Sequence, residues 1–131
     1  MLPLTATGAR VVRPVSGGGL EHVTADSVCA KYSIPAAQLL TDYKAMVGEP
    51  GDNIPGVPGI GPKRASTLLR RIGGLERVIE AGAGGYSKDS ELVAQHADAA
   101  RRALRLVSLR VDVPIPPIDK PRCAIRRSAG A

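Results

Sequence analysis

Three glycines and two cations lie close together in the middle of this 131-residue sequence, in an arrangement that suits an anion. Gly56, Gly59 and Gly61 punctuate a proline-rich turn, and Lys63 and Arg64 follow it. Glycine lets a backbone approach a ligand closely and adopt positive φ. A helix that begins just after such a turn offers amide donors without intrahelical partners at the positive end of its dipole. The pattern therefore predicts a site for an anion, of which phosphate is the usual one.

The residues after the turn have the spacing of a helix. Apolar side chains recur at intervals of three, four and seven, at Ala65, Leu68, Leu69 and Ile72, which places them on one helix face. Cations in the first turn of a helix work against its dipole. We therefore interpret Lys63 and Arg64 as phosphate contacts. The alternative is a tight hairpin in which both side chains are merely solvated.

The stretch IPGVPGIGPKRA at residues 54–65, with the leucine pair after it, resembles the helix-hairpin-helix of non-sequence-specific DNA-binding proteins. Together with the preceding DYKAMVGEPGDN, it more narrowly resembles the helix-three-turn-helix in the C-terminal half of the 5'-3' exonuclease and flap endonuclease family. That family includes the 5' nuclease domain of bacterial DNA polymerase I and its phage relatives. The resemblance is specific across residues 38–80 and extends more weakly over residues 9–114.

The resemblance implies a fold, a ligand and a set of contacts. The fold would be mainly α, a helix-hairpin-helix (SAM-like) domain of about five helices with a short N-terminal strand. The ligand would be double-stranded or flapped DNA, bound without sequence specificity because phosphate contacts position a protein but read no bases. The resemblance also implies a K⁺ ion on the carbonyls of the turn at residues 56–60. The DNA contacts would come from Gly56, Gly59, Ile60, Gly61, Lys63 and Arg64.

Two carboxylates precede the turn. The family's usual string here is Gly-Asp-x-x-Asp-Asn, whose aspartates belong to a metal-binding cluster, and this chain has Glu49 and Asp52 at those places. Glutamate keeps the charge and lengthens the arm by one methylene. The resemblance therefore implies an incomplete site for Mg²⁺ or Mn²⁺. The residues themselves equally allow Asp52 and Asn53 to be turn residues bonded to their own backbone.

Catalysis by this chain alone is not expected. Two-metal hydrolysis of a phosphodiester needs several convergent carboxylates around ions roughly 4 Å apart, and in the family most come from an N-terminal α/β half. Of the twelve acidic residues here, none lies in residues 1–20, where an Asp-x-Asp pair would have its counterpart. We expect a DNA-binding C-terminal portion that does not cut alone. The alternatives are half of a split nuclease completed by a separate N-terminal nuclease chain, and a remnant that serves protein contacts.

Composition agrees with binding through the DNA backbone. The formal net charge is +6 and the pI is near 9.8, which is compatible with a polyanionic partner. The chain has no Phe or Trp and three tyrosines, so a base-stacking platform for single strands is not expected. The basic residues after position 119 are expected to form a solvated tail.

The expected domain organisation is a remnant strand and glycine-rich linker at 1–20, the DNA-binding domain at 21–116, and a basic, disordered tail at 117–131. Within it, the patterns predict a strand at 9–15, helices at 25–32, 35–47, 62–72, 75–81 and 89–110, and a flexible loop at 81–88. Cys29 and Cys123 lack metal-ligand spacing, and we interpret Cys29 and His96 as core residues. No secretory signal or long apolar span is visible, so we expect a cytoplasmic, nucleoid-associated protein without membrane contact.

Overall fold

The computed structural model of the chain describes residues 10–110, 112–114 and 116–117. This part of the chain is mainly α, as predicted, with six α-helices where about five were expected. Two strands, β1 (Val11–Pro14) and β2 (Leu20–Val23), come first, and the helices are α1 (Ala25–Tyr32), α2 (Leu40–Val47), α3 (Pro62–Arg71), α4 (Leu75–Ala83), α5 (Lys88–Gln95) and α6 (Ala97–Val107). Two further two-residue strands, β3 (Gly48–Glu49) and β4 (Ile54–Pro55), lie between α2 and α3.

The glycine run near the N-terminus is the turn of a β-hairpin. Strands β1 and β2 pair antiparallel, with Val11 opposite Val23, and Gly17, Gly18 and Gly19 all have positive φ between them. The glycines expected to form a linker are the turn of this hairpin, because three successive positive-φ positions let the chain reverse and pair with itself. Val11 and Val23 are buried in the hydrophobic core, so the hairpin packs against the helical part.

Helix α1 begins where its sequence predicts. Thr24 accepts a hydrogen bond from the Ser27 amide, and the Ser27 side chain accepts one from the Thr24 amide, which completes a capping box. Helix α2 begins later than predicted, because residues Ala37–Leu39 form a 3₁₀ turn before Leu40. Cys29 is half-buried and packs against the core, in agreement with a structural role.

The core is shared by all six helices. Its largest fully buried apolar side chains are Val28, Leu40, Met46, Leu69, Leu75, Val78 and Val93. Tyr43 of α2 is also buried and meets the Tyr32 ring edge-on, with the ring centroids 5.3 Å apart. Burial raises the pKa of Tyr43 above its ordinary value, and the neighbouring Tyr32 adds to the effect.

The single long helix predicted for residues 89–110 is two helices, and that prediction is wrong. His96 has φ −110° and ψ 24°, and it ends α5 and precedes α6. Its Nδ1 lies 3.0 Å from the Leu92 carbonyl oxygen, so its ring is satisfied inside the protein as expected. Ala99, predicted inward, is exposed, while Ala100 and Ala103 face the core. No proline or glycine marks the break.

Helices α4 and α5 pack closely against each other. The connection spans residues 84–87 and is shorter than the loop predicted at 81–88, because α4 extends to Ala83. Ser87 caps α5 through a reciprocal pair of hydrogen bonds with Ser90. No helix of the described residues is long and apolar enough to cross a membrane. Cys123 and the predicted tail from residue 118 onward lie outside the described residues.

Candidate nucleic-acid interface

The segment between α2 and α3 is a compact hairpin. Helix α2 ends at Gly48, whose φ is 88°, and β3 then pairs with β4. A 3₁₀ turn at Pro50–Asp52 connects the two strands, and Asn53 follows it in the left-handed region. The Val57 amide donates to the Met46 carbonyl across 2.7 Å, which ties the start of the glycine turn to the end of α2.

The glycine turn itself is a β-turn over residues 57–60. The Ile60 amide donates to the Val57 carbonyl across 3.0 Å, and Gly59 has φ 80°. Proline at the second position and glycine with positive φ at the third are the requirements of a type II turn. Pro58 and Gly59 meet both requirements, and the side chains of Val57 and Ile60 are buried.

The three glycines differ in what a side chain would meet. A Cβ on Gly56 would lie 2.3 Å from the Val47 carbonyl oxygen, so Gly56 is required by packing. Gly59 is required by its positive φ, and a Cβ there would also lie 2.9 Å from Leu92 Cδ2. A Cβ on Gly61 would meet nothing within 4 Å, and its φ of −93° is open to any residue. Neither packing nor a positive φ requires glycine at position 61, where glycine is a common N-cap residue.

Helix α3 begins immediately after Gly61 with an open N-terminus. Gly61 is its N-cap and provides no side-chain cap, and Pro62 occupies the first turn. In the described part of the chain, the amides of Gly61, Lys63 and Arg64 make no hydrogen bond to a protein acceptor. These three amides therefore remain available as donors beside a shallow depression of about 430 Å³ that is lined by Gly59, Gly61, Pro62, Lys63 and Arg64.

The two cations at this helix start are placed differently. Lys63 is exposed, and the described residues offer its ammonium group no ion pair. Arg64 instead donates through Nη1 to the Gly59 carbonyl across 3.0 Å. The same nitrogen lies 3.5 Å from Asp89 Oδ1. The Lys63 ammonium group is thus available for the predicted phosphate contact. The Arg64 guanidinium already has two partners within the protein.

The two candidate metal ligands do not assemble a metal site within this chain. Lys44 Nζ pairs with Glu49 Oε2, and both side chains are partly buried. Asp52 is exposed on the 3₁₀ turn. Residues 10–110 hold no group of three or more His, Cys, Asp or Glu side chains placed to bind a metal ion. The residues present therefore do not fit a complete site for Mg²⁺ or Mn²⁺.

Two carbonyls of the turn at residues 56–60, where the resemblance implies a K⁺ ion, already have protein donors. The Gly59 carbonyl accepts from a guanidinium, and the Val57 carbonyl accepts from the Ile60 amide. A second cation at the Gly59 carbonyl would face the positive charge of Arg64 at short range. The residues present therefore do not fit K⁺ at this carbonyl.

Two aspartates that join elements around the hairpin escaped the sequence reasoning. Asp42 Oδ1 of α2 accepts from the Leu75 amide across 2.7 Å and so caps the start of α4. Asp89, in the first turn of α5, reaches back to Arg64 of α3. Both contacts join residues far apart in the chain, and no local motif indicates such pairs.

The chain is similar in sequence to proteins of one family. A sequence model described as the 5'-3' exonuclease C-terminal SAM fold matches residues 35–128. DNA polymerase I of Rhizobium leguminosarum is 39% identical over 89 residues, which make up 67% of this chain and 9% of that protein. Flap endonuclease Xni of Aeromonas hydrophila is 42% identical over 86 residues, which make up 65% of this chain and 32% of that protein.

A solved structure agrees with these sequence matches. The structure of T5 5'-exonuclease with bound zinc superposes on this chain with a TM-score of 0.58 at 26% sequence identity. The superposition covers 66% of this chain and 32% of the exonuclease. This chain therefore spans about a third of the flap endonuclease and of the T5 enzyme, and a smaller part of the polymerase. The match over residues 35–128 shows that the chain belongs to the 5'-3' exonuclease family, of which it carries the C-terminal SAM fold domain.

Proposed function

We propose that this chain binds double-stranded or flapped DNA without sequence specificity through the open N-terminus of α3. One observation carries the proposal, namely that in the described residues the amides of Gly61, Lys63 and Arg64 at the start of α3 have no protein acceptor. Glycine at position 61 leaves the way to these amides clear, since a Cβ there would meet no protein atom within 4 Å. The neighbouring amides and the positive end of the helix dipole select a phosphate.

The charge distribution supports the same ligand. Lys63 adds an exposed ammonium group to the helix start, where it opposes the dipole and gains nothing for the helix. Arg70 and Arg71 are exposed at the other end of α3 and extend the positive surface. In this proposal the domain at residues 21–116 is the DNA-binding part of a 5'-3' exonuclease or flap endonuclease, and it acts in the cytoplasm near the nucleoid.

The test is the salt dependence of binding to a fluorescent duplex, measured by anisotropy. Affinity for phosphates falls with ionic strength, and the slope of log K against log [salt] follows the number of phosphates neutralised. We expect Lys63→Ala to weaken binding about equally on duplexes of different sequence and to flatten the slope by about one. An unchanged slope would remove Lys63 from the interface, and failure of the wild-type chain to bind at low salt would refute the proposal.

Gly61→Ala distinguishes an effect on ligand binding from an effect on the stability of the fold. A methyl group at this position has room in the free protein, so we expect thermal stability to change by about 1 kcal/mol or less. The same methyl group would stand between the backbone and a phosphate, so affinity should fall at least tenfold. Gly51→Ala is the matched control, because Gly51 is also open and lies away from the α3 amides. Equal DNA affinity of the two variants would contradict the proposed approach.

The positions of Glu49 and Asp52 favour a second candidate, half of a split nuclease. Both carboxylates lie on the hairpin that leads to the proposed DNA contact. We propose that Mg²⁺ or Mn²⁺ binds there only when further ligands come from outside this chain. The isolated chain should then leave a flapped duplex intact in Mg²⁺, and an N-terminal nuclease chain should restore cleavage. A Glu49→Gln/Asp52→Asn variant with unimpaired restored cleavage would exclude this second role.

A further inference from the structure

We infer that Arg64 is a positioning residue of the DNA site, in which its guanidinium serves as the built-in cation of the glycine turn. This inference deepens the proposed function and rests on it. It assigns Arg64 a role that differs from the phosphate contact of Lys63, although the two residues are adjacent in sequence.

The first step is the contact with the turn. Arg64 Nη1 donates to the Gly59 carbonyl across 3.0 Å, and Gly59 is the positive-φ residue on which the type II turn depends. The donor belongs to the same helix whose first amides are open. The bond therefore connects the turn to the start of α3 over a five-residue separation. A charge-assisted hydrogen bond of this kind is stronger than a neutral one, and it restrains the backbone that presents Gly61.

The second step is the contact with α5. Asp89 Oδ1 lies 3.5 Å from Arg64 Nη1, and Asp89 is in the first turn of α5, next to the Ser87 and Ser90 capping box. Gly59 also lies close to Leu92 of the same helix. The turn, the start of α3 and the start of α5 thus meet at one guanidinium. Residues well beyond the hairpin in sequence hold the α3 N-terminus in place.

The third step concerns charge. The guanidinium is shared between a carbonyl oxygen and a carboxylate, and the formal charges of Arg64 and Asp89 sum to zero, so the pair as a unit offers DNA no net positive charge. Release of a counterion from DNA requires a protein charge that neutralises a phosphate. Arg64 should therefore contribute to affinity without contributing to the salt slope. Arg64 already supplies a cation at the Gly59 carbonyl, so a K⁺ ion has no role at that atom.

The experiment measures duplex affinity and its salt slope for the wild-type chain, Arg64→Ala and Asp89→Asn. We expect Arg64→Ala to lower affinity about tenfold, as for loss of a charged hydrogen bond, with the salt slope unchanged. Asp89→Asn is the sharper variant, since removing a negative charge near DNA should by itself raise affinity. The inference predicts a loss of about threefold instead, and no further loss when Asp89→Asn is added to Arg64→Ala.

Replacement of K⁺ by Na⁺ at equal ionic strength gives a second readout. Wild-type affinity should change less than twofold, whereas a tenfold preference for K⁺ would overturn the inference. A fall of the salt slope by about one in Arg64→Ala, or tighter binding by Asp89→Asn, would also overturn it. These results require a wild-type chain that binds DNA. Absence of wild-type binding would refute the proposed function itself, so the two failures are distinguishable. Melting temperatures of the free variants establish that each is folded.

Discussion

Gly82→Ala should destabilise this domain although Gly82 lies inside a helix. Alanine in place of an interior helical glycine normally stabilises by about 0.5 to 1 kcal/mol. Here a Cβ on Gly82 would lie 2.0 Å from the Ser90 carbonyl oxygen and 2.4 Å from its carbon. Both obstructing atoms belong to the backbone of α5, so rotation of a side chain cannot relieve the contact. Helices α4 and α5 would have to move apart.

The magnitude follows from these opposing effects. Overpacking in a tight core costs about 1 to 3 kcal/mol, occasionally more, and separation of the two helices would loosen the fully buried side chains of Val78 and Val93. The 2.0 Å approach to a backbone atom places the steric cost near the upper end of this range, about 3 kcal/mol, and subtraction of the gain in helix propensity leaves a net loss of about 2 kcal/mol. For a domain of this size, a loss of 1 kcal/mol lowers Tm by about 4 to 8 °C.

Urea unfolding followed by circular dichroism measures the effect, with Gly84→Ala as the matched control. Gly84 ends the same helix, and a Cβ there would lie 3.6 Å from the nearest protein atom, an ordinary contact. The control should therefore match wild type or exceed it by up to about 1 kcal/mol. If Gly82→Ala were as stable as Gly84→Ala, α4 and α5 would have to cross at a larger distance than described.

The remaining predictions concern an ion pair and a strained turn. Arg101 donates two hydrogen bonds from its guanidinium edge to Glu76, and this contact lowers the pKa of Glu76 below its ordinary value. The contact stabilises the fold at pH values above the ordinary carboxyl pKa near 4.5. This stabilisation is lost as the pH falls through the lower pKa that Glu76 has in the folded state. Glu76→Gln should thus lower Tm slightly at pH 7, and this effect should shrink as the pH is lowered from 7 to 3. Asn53, at φ 55°, should tolerate Gly, whereas Asn53→Ala should cost about 1 kcal/mol in urea unfolding.

The sequence was most informative where a local rule decides the structure. Thr24 begins α1 through a capping box. Pro58 and Gly59 occupy the two central positions of a type II turn, which favour proline and glycine. The apolar spacing after Gly61 correctly predicted α3 to within one residue of its end. In each case the residues that determine the structure are neighbours in the chain, so their types and order suffice.

The sequence failed where distant residues decide. The break at His96 interrupts a run without proline or glycine, and it separates α5, which packs mainly on α4, from α6, which packs mainly on α2. The role of Gly82 depends on the Ser90 backbone, and that of Arg64 on Asp89. The sequence alone also does not show which of its glycines the fold requires. Gly56 and Gly61 appear alike in the motif, yet one is required by packing and the other is not.

This division of the glycines bears on how the site would work. Gly56 and Gly59 fix the backbone from within, through a close approach to Val47 and a positive φ. The Met46 carbonyl and the Asp42 carboxylate of α2 then hold the turn and the start of α4. With these restraints the open amides of α3 are already in position before a ligand arrives. A preorganised site loses little conformational entropy on binding, so a few phosphate contacts would suffice for the proposed binding of DNA.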